Sequence, residues 1–457
     1  LDGRPLPDAA VKLAEGIPWI DARGRVTAAE VMELKRTARE HLRGRVPDGG
    51  REVLERTAHR LAEMLGQAGA GTVIIGGVKD VPEGVHTLTL TADYHSGPLV
   101  MTVTEEVQVL VASVPTDHGW FPADLHMHST FSDGNQSVSG LREDLTSMGY
   151  AIGYVTDHTD ALMSAGVFDS LSDTYPSACA EASDTTTSMF PGAELAVGHY
   201  IWIYWNGDGH ILAYGIDSTY GLDDNRWGAQ VGLDKVNDNN PPLSSPAIAH
   251  PTHLVYDWDD YTVLRYNGIE LMSGYQWYFD INSGPVERWR SECERLLPHA
   301  ESFRPSVRSG SDYHTSWYPY VTHVKLPTED SWYNGTWTDR WTAVSAALRD
   351  GRTVTSRKGS LAFIRLDGFD VGCSVYRSSG DFLSFSVYFE PIESGDYTLT
   401  LYRGNCVETV WSTSGSYSAG TAYTWEATYT YPGGSNYFWL YVSGPDYCYT
   451  TPIYVNP

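Results

Sequence analysis

An α/β fold is predicted for the centre of this chain, with an α+β region before it and an antiparallel β-sandwich after it. Three observations predict this. Residues 121–358 alternate short apolar runs with helix-period segments, the pattern of a β/α fold. Residues 1–120 begin with two helical patterns and then turn to strand alternation. Residues 359–457 carry at least four runs of alternating polar and aromatic residues between Gly/Ser/Asn turns. A length of 457 residues suits this division, since roughly 100–200 residues make a domain.

In the first zone, Thr27-Ala28-Ala29-Glu30 reads as a capping box, followed by Val31, Leu34, Ala38 and Leu42 at helical spacing. A second helix is expected from Arg51 to about Gly66, with Val53, Leu54, Ala58, Leu61, Ala62 and Leu65 on one stripe. Strands are expected at Thr72–Ile75, His86–Ala92 and Leu99–Ala112. No cluster of catalytic residue types lies here, so the zone reads as structural or as a lid. In the central zone, helices are expected after Ser137 through Leu141, Leu145 and Met148, over Gly284–Leu297, and from Thr338 or Asp339 to Arg349, with Gly351 as a stop. The polar stretch Gly221–Ser245 reads as an insertion loop. The last zone predicts strands at Phe382–Phe389, Tyr397–Tyr402, Tyr423–Tyr429 and Asn436–Tyr441. Cross-strand packing explains their aromatics better than a carbohydrate-binding face does.

Composition narrows the function. Lys+Arg number 31 against 57 Asp+Glu, a net charge of −26 with a sequence pI near 4.8. Such an excess repels phosphate backbones and argues against a nucleic-acid polymer as partner, though not against a small anion met by local charge. A hydrophobic fraction of 42% is ample for packed cores. No run approaches the roughly 18 apolar residues of a membrane helix. Lysine is scarce beside arginine, Trp, Tyr, Ser, Thr and Gly are abundant, and the first residue is Leu1, a profile that predicts a secreted or periplasmic protein. The five cysteines show no CxxC spacing, and Cys373, Cys406 and Cys448 could supply one disulfide in an oxidising compartment.

Metal-ligating residue types recur at the ends of the central apolar runs. His126 and His128 sit at i and i+2, which on a strand aims both imidazoles to one face, and Asp133 follows closely. Asp157-His158, Glu194, His210 and His250 come next, and Asp312 and His314 repeat the i, i+2 arrangement. Each alone could cap a helix or satisfy a loop. Together, at the carboxyl ends of β/α strands where catalytic groups converge, they would be costly to assemble without metal. Six imidazoles and three carboxylates exceed the needs of one ion and suit two or three divalent ions. Mixed nitrogen and oxygen donors favour Mn, Zn or Fe.

The order HxH, internal His, Glu, closing DxH resembles the PHP (polymerase and histidinol phosphatase) metallohydrolase superfamily over residues 121–320. The run His126-Met127-His128-Ser129-Thr130-Phe131-Ser132-Asp133-Gly134 is similar to its carbaryl-hydrolase-like branch. The resemblance implies a distorted (β/α)7 barrel holding two or three metals. It implies as ligands His126, His128, His158, Glu194, His210, His250, Asp312 and His314, with Asp133 at the acidic position of the SDG element. Glu194 is the implied bridging carboxylate, and Asp312, His250 and Glu194 the catalytic set. Asp157 is expected to orient a ligand from behind. Substrate-binding candidates are His253, Arg308, His199 and Glu270, with Arg352, Arg357 and Tyr200 beside them. Glu270 matches a position after the HP motif where the family often carries an acid, and either orients a ligand or meets substrate.

The expected activity is hydrolysis of a phosphomonoester or phosphodiester of a small substrate by a metal-bridging hydroxide. Hydrolysis of a carbamate or carboxylic ester on the same centre is the alternative. A non-catalytic carbohydrate- or surface-binding protein is the alternative of a different class. No Gly-x-Ser-x-Gly elbow or phosphate-binding P-loop offers a competing chemistry.

Overall fold

The structure is a computed structural model that describes residues 71–74, 84–96, 99–111 and 119–457, except 185, 202–203, 223–227, 253–257, 259–261, 275–283, 300–304, 327–331 and 407. The chain divides into Leu1–His118 and Gly119–Pro457. Both expected N-terminal helices lie outside the described residues. The described part of the first unit is an antiparallel sheet of Gly71–Ile74, Gly84–Ser96 and Leu99–Val111. The middle strand outruns the expected His86–Ala92, because its pairing continues through Asp93↔Thr102 to Ser96↔Leu99. Ladder hydrogen bonds need no apolar side chain, so the loss of alternation there did not end the strand.

The second unit begins with strands Trp120–Met127, Ile152–Val155 and Ser188–Pro191, paired in parallel. Helices Val138–Ser147, Thr159–Ala165 and Thr174–Ala182 lie between them. Ser137 caps the first of these by accepting from the Gly140 N–H, and Val138, Leu141 and Leu145 form its buried stripe. A second sheet starts with the antiparallel pair Ala193–Ile201 and Tyr204–Tyr214 and continues through Ser245–Ile248. Gly268–Met272 and Ser306–Ser309 then add in parallel. Single parallel bridges, Met127↔Tyr313 and His158↔Glu194, join the two sheets at two places. The overall class is mixed α/β, with many strands and few helices.

Two expectations are corrected. The stretch Gly221–Ser245 is not a loop throughout, for Ala229–Asn239 is a helix. Its Asn, Asp and Lys residues hide a stripe of Ala229, Leu233 and Val236, all buried. Asn237, turned inward on the same helix, donates to the Arg265 carbonyl at 2.6 Å. The structure holds no disulfide, and all five cysteines are thiols. The last central helix, Trp337–Arg349, begins one residue before the expected start. Thr336 and Asp339 form a capping box there, and Gly351 has φ +70° at the far end.

The four expected C-terminal strands appear as Phe382–Glu390, Gly395–Arg403, Tyr423–Thr430 and Asn436–Ser443. They divide between two sheets. Leu361–Leu366, Phe382–Glu390 and Tyr423–Thr430 make a separate three-stranded sheet. The others continue the sheet that carries the HxH strand: Trp120–Met127 pairs with Val321–Lys325, which pairs with Thr353–Ser356, which pairs with Cys448–Thr450. Backbone hydrogen bonds therefore run from the candidate site into the last zone. Packing follows the same route, with the Trp120 and Phe363 rings stacked at 5.3 Å.

Candidate metal centre

Alternation along Trp120–Met127 sends Asp124 and His126 inward, and His128 follows at the same period. The two imidazoles meet with their Nε2 atoms 3.3 Å apart. His128, His158, His250 and Asp312 each follow the carboxyl end of a strand that pairs in parallel, and Glu194 is the second residue of Ala193–Ile201, which opens the second sheet. His210 arrives differently. It lies on Tyr204–Tyr214 opposite Ala196, diagonal to Glu194 on the neighbouring strand, so the antiparallel register places both on one face.

Glu194 is the hub. Its Oε1 lies 2.7 Å from His210 Nδ1, 3.1 Å from His250 Nε2 and 3.5 Å from His126 Nε2. Its Oε2 lies 3.2 Å from His128 Nε2 and 3.4 Å from His158 Nδ1. Asp312 Oδ1 stands 3.4–3.5 Å from His126, His128 and His314. Asp133 closes the outer side, 3.2 Å from His314 Nε2, 3.5 Å from His128 Nδ1 and 3.6 Å from His158 Nε2. Three overlapping sets have ligand atoms within 4.8 Å of one another: His126/His128/Glu194, Glu194/His210/His250, and His128/Asp133/His158/His314.

The donor set fits divalent metal. Ligands bound at about 2.1 Å around one ion lie roughly 3.0–3.4 Å from each other, and the donor spacings here, 2.7–3.6 Å, bracket that range. Burial would drive the Glu194 carboxyl to protonate, yet His210, His126 and His128 hold it well below the usual carboxylate range. Burial likewise disfavours the His128 cation, but Asp312 and Glu194 outweigh it and push the group up to about 10. At His210 burial wins over Glu194, and the imidazole is shifted down. Without a cation these carboxylates draw protons onto His126 and His128, and a bound divalent ion would take the place of those protons.

Supporting groups aim the ligands. Glu270 faces His126 Nδ1 at 3.2 Å and accepts the His250 backbone N–H at 2.8 Å, so it fixes two ligands at once. Asp157 is bonded to the turn after the HxH strand. It accepts from the Ser129 amide at 2.8 Å, the Ser129 hydroxyl at 2.6 Å and the Ser132 hydroxyl, holding the loop that carries Asp133. Asp124, which the sequence reading passed over, accepts from the amides of His126 and Ser311 and ties the first motif to the last. Its place two residues before His126 in the same alternation was the available signal. His250 and Asp312 adopt φ +23° and +51°, a region other residues than glycine rarely enter, and such strain gathers at functional sites. Gly134 is required by close approach: a Cβ there would lie 2.0 Å from the His128 carbonyl oxygen.

Of the substrate candidates, Arg308 is corrected. Its guanidinium is fully buried, donates to Ser245 Oγ at 2.6 Å and to the Leu348 carbonyl at 2.9 Å, and lies 4.8 Å from the Tyr214 ring. Burial lowers it to about 10. It packs the sheet against the last central helix. Arg352 pairs with Asp350 at 2.9 Å. His253 and the side chains of His199 and Tyr200 lie outside the described residues.

No protein-family model matches the chain, and no curated protein matches it. Among solved structures it is similar to a two-domain protein from Bacteroides vulgatus containing a predicted PHP-like metal-dependent phosphoesterase. That similarity has 14% identity and a TM-score of 0.40, covering 71% of this chain and 91% of that one. It is also similar to an amidohydrolase from Chromobacterium violaceum with bound sulfate and no metal. Here the identity is 18% and the TM-score 0.25, covering 42% of this chain and 87% of that one.

Proposed function

We propose that this chain is a metal-dependent hydrolase of the PHP type that cleaves a phosphoester bond of a small substrate. Its two sheets would be the halves of a distorted (β/α)7 barrel. The observation that carries the reading is the overlap of three ligand sets through His128 and Glu194. A single ion takes about four protein ligands, so nine converging donors suit two or three ions. When bound, such ions polarise the scissile group and lower the pKa of a coordinated water toward neutrality.

The chain's own groups have separate parts in this. Glu194 spans the centre, with each oxygen facing different histidines. His250 and Asp312 are delivered by strained backbone at strand ends. Glu270 holds Nδ1 of His126, leaving Nε2 for the centre. With Arg308 committed to the interior, the positive charge that receives an anion would come from the ions themselves.

Elemental analysis of the purified protein is expected to find at least two metal equivalents, and fewer than one would sink the reading. Rates on nitrophenyl phosphomonoester, phosphodiester, carbamate and carboxylic ester then rank the reactions. Faster turnover of the carbamate or carboxylic ester moves the assignment to that chemistry. His128→Ala, which strikes two ligand sets, is expected to abolish turnover while the circular dichroism spectrum is retained. Wild-type turnover in that variant refutes the site.

A further inference from the structure

The three ligand sets are not equally enclosed. Glu194, His250 and His126 have side chains at most 4% exposed, whereas His314 is 22%, His158 25% and Asp133 53% exposed. Asp133 is also set apart by its backbone, because it stands on a turn after the HxH strand rather than on a strand. What holds that turn decides whether the outer set exists. Asp157 holds its start through Ser129 and Ser132. Its end is held by Tyr313, the residue between Asp312 and His314.

The Tyr313 side chain is buried. Its hydroxyl donates to Asn135 Oδ1 at 2.7 Å and accepts from Gln136 Nε2 at 2.7 Å. Gln136 Nε2 and Trp317 Nε1 both donate to Asp144 Oδ2, each at 2.9 Å, and the Trp317 ring lies 4.4 Å from that of Tyr313. The Asn135 N–H donates to the His314 carbonyl at 3.0 Å. Two residues beyond Asp133, the turn is thus bonded to the segment that bears Asp312 and His314, and to the helix Val138–Ser147.

We propose that Tyr313 is a positioning residue that latches the Asp133 turn and thereby sets the affinity of the outer ion, held by His128, Asp133, His158 and His314. The proposal rests on the metal-centre reading above. A free turn would have to be ordered when the ion binds, and the latch removes that cost beforehand. Loss of the hydroxyl removes two hydrogen bonds and leaves the Asn135 carbonyl without its donor.

The test is equilibrium dialysis of metal-stripped protein against Zn2+ buffered over a range of free concentrations, with bound equivalents counted by elemental mass spectrometry. In Tyr313→Phe the weakest equivalent is expected to bind about tenfold less tightly or worse, with the tighter ones unchanged. Gln136→Leu, at a half-exposed position, is expected to weaken the same equivalent and guards against a folding defect at buried Tyr313. The latch is overturned if both variants bind every equivalent as wild type does, or if all equivalents weaken together. Binding of no outer equivalent by wild type also overturns it. Wild type binding less than one equivalent overturns the metal-centre reading itself, and the latch with it.

Discussion

Glu194→Ala is expected to strip the protein of most of its bound metal and to lower hydrolysis by more than the 10–100-fold typical of a group that only supports a ligand. The reason is the position of the carboxylate. Five imidazoles face its two oxygens at 2.7–3.5 Å, and no other described side chain occupies such a place. Without it, His126, His128, His158, His210 and His250 would lose the one described carboxylate that faces all five. Glu194→Gln keeps the volume but not the charge, so it separates the two contributions. It is expected to retain the fold, judged by thermal melting, and still to lose metal by elemental analysis. Metal content and turnover near wild type in both variants would remove Glu194 from the centre.

Acid is expected to weaken the fold through His323, a residue away from the metal centre. His323 lies on Val321–Lys325 between Pro122 and Val354, is 6% exposed, and its Nε2 has no hydrogen-bond partner among the described residues. Burial pushes its pKa down to about 4, against a smaller opposing pull from the backbone of Gly359 and Ser360. The unfolded chain binds this proton near pH 6.5 and the folded chain only near pH 4, so between those values the unfolded state holds more protons. Stability from this group is full above about pH 6.5 and falls as the pH drops toward 4, by about 3 kcal/mol in all. Denaturant unfolding of metal-free wild type and His323→Leu at pH 7.5 and 4.5 measures it. The wild type is expected to lose about 2.5 kcal/mol more than the variant between the two pH values. Equal losses would show that His323 is not the group responsible.

Much of the site was legible because chemistry and local period coincide. His126 and His128 needed only the alternation of a strand, and the pairing of Asp312 with His314 repeats it. Helix Val138–Ser147 announced itself by Ser137 and an unbroken stripe. The helix Ala229–Asn239 did not, because polar residues outnumber the three apolar ones that bury it. Arg308 illustrates the converse error. A cation four residues before a ligand is near the site in sequence, but its guanidinium is taken up by Ser245 and the Leu348 carbonyl. The outward sign of charge was equally uninformative. The excess of acidic residues describes the whole chain, whereas the centre is set by three carboxylates among six imidazoles.

The sequence by itself determined the α/β alternation, the β-rich last zone and the identity of the donors, since each is written in residue type and in periods of 2 or 3.6. Only the tertiary structure decided which donors share an oxygen of Glu194 and that Asp157 holds the turn after the HxH strand. It also decided that Tyr313 reaches Asn135 and that the last strands extend the sheet of the HxH strand. These contacts join positions from 16 to 178 residues apart. They arise from strand register and from left-handed backbone at His250 and Asp312, neither of which a local pattern encodes.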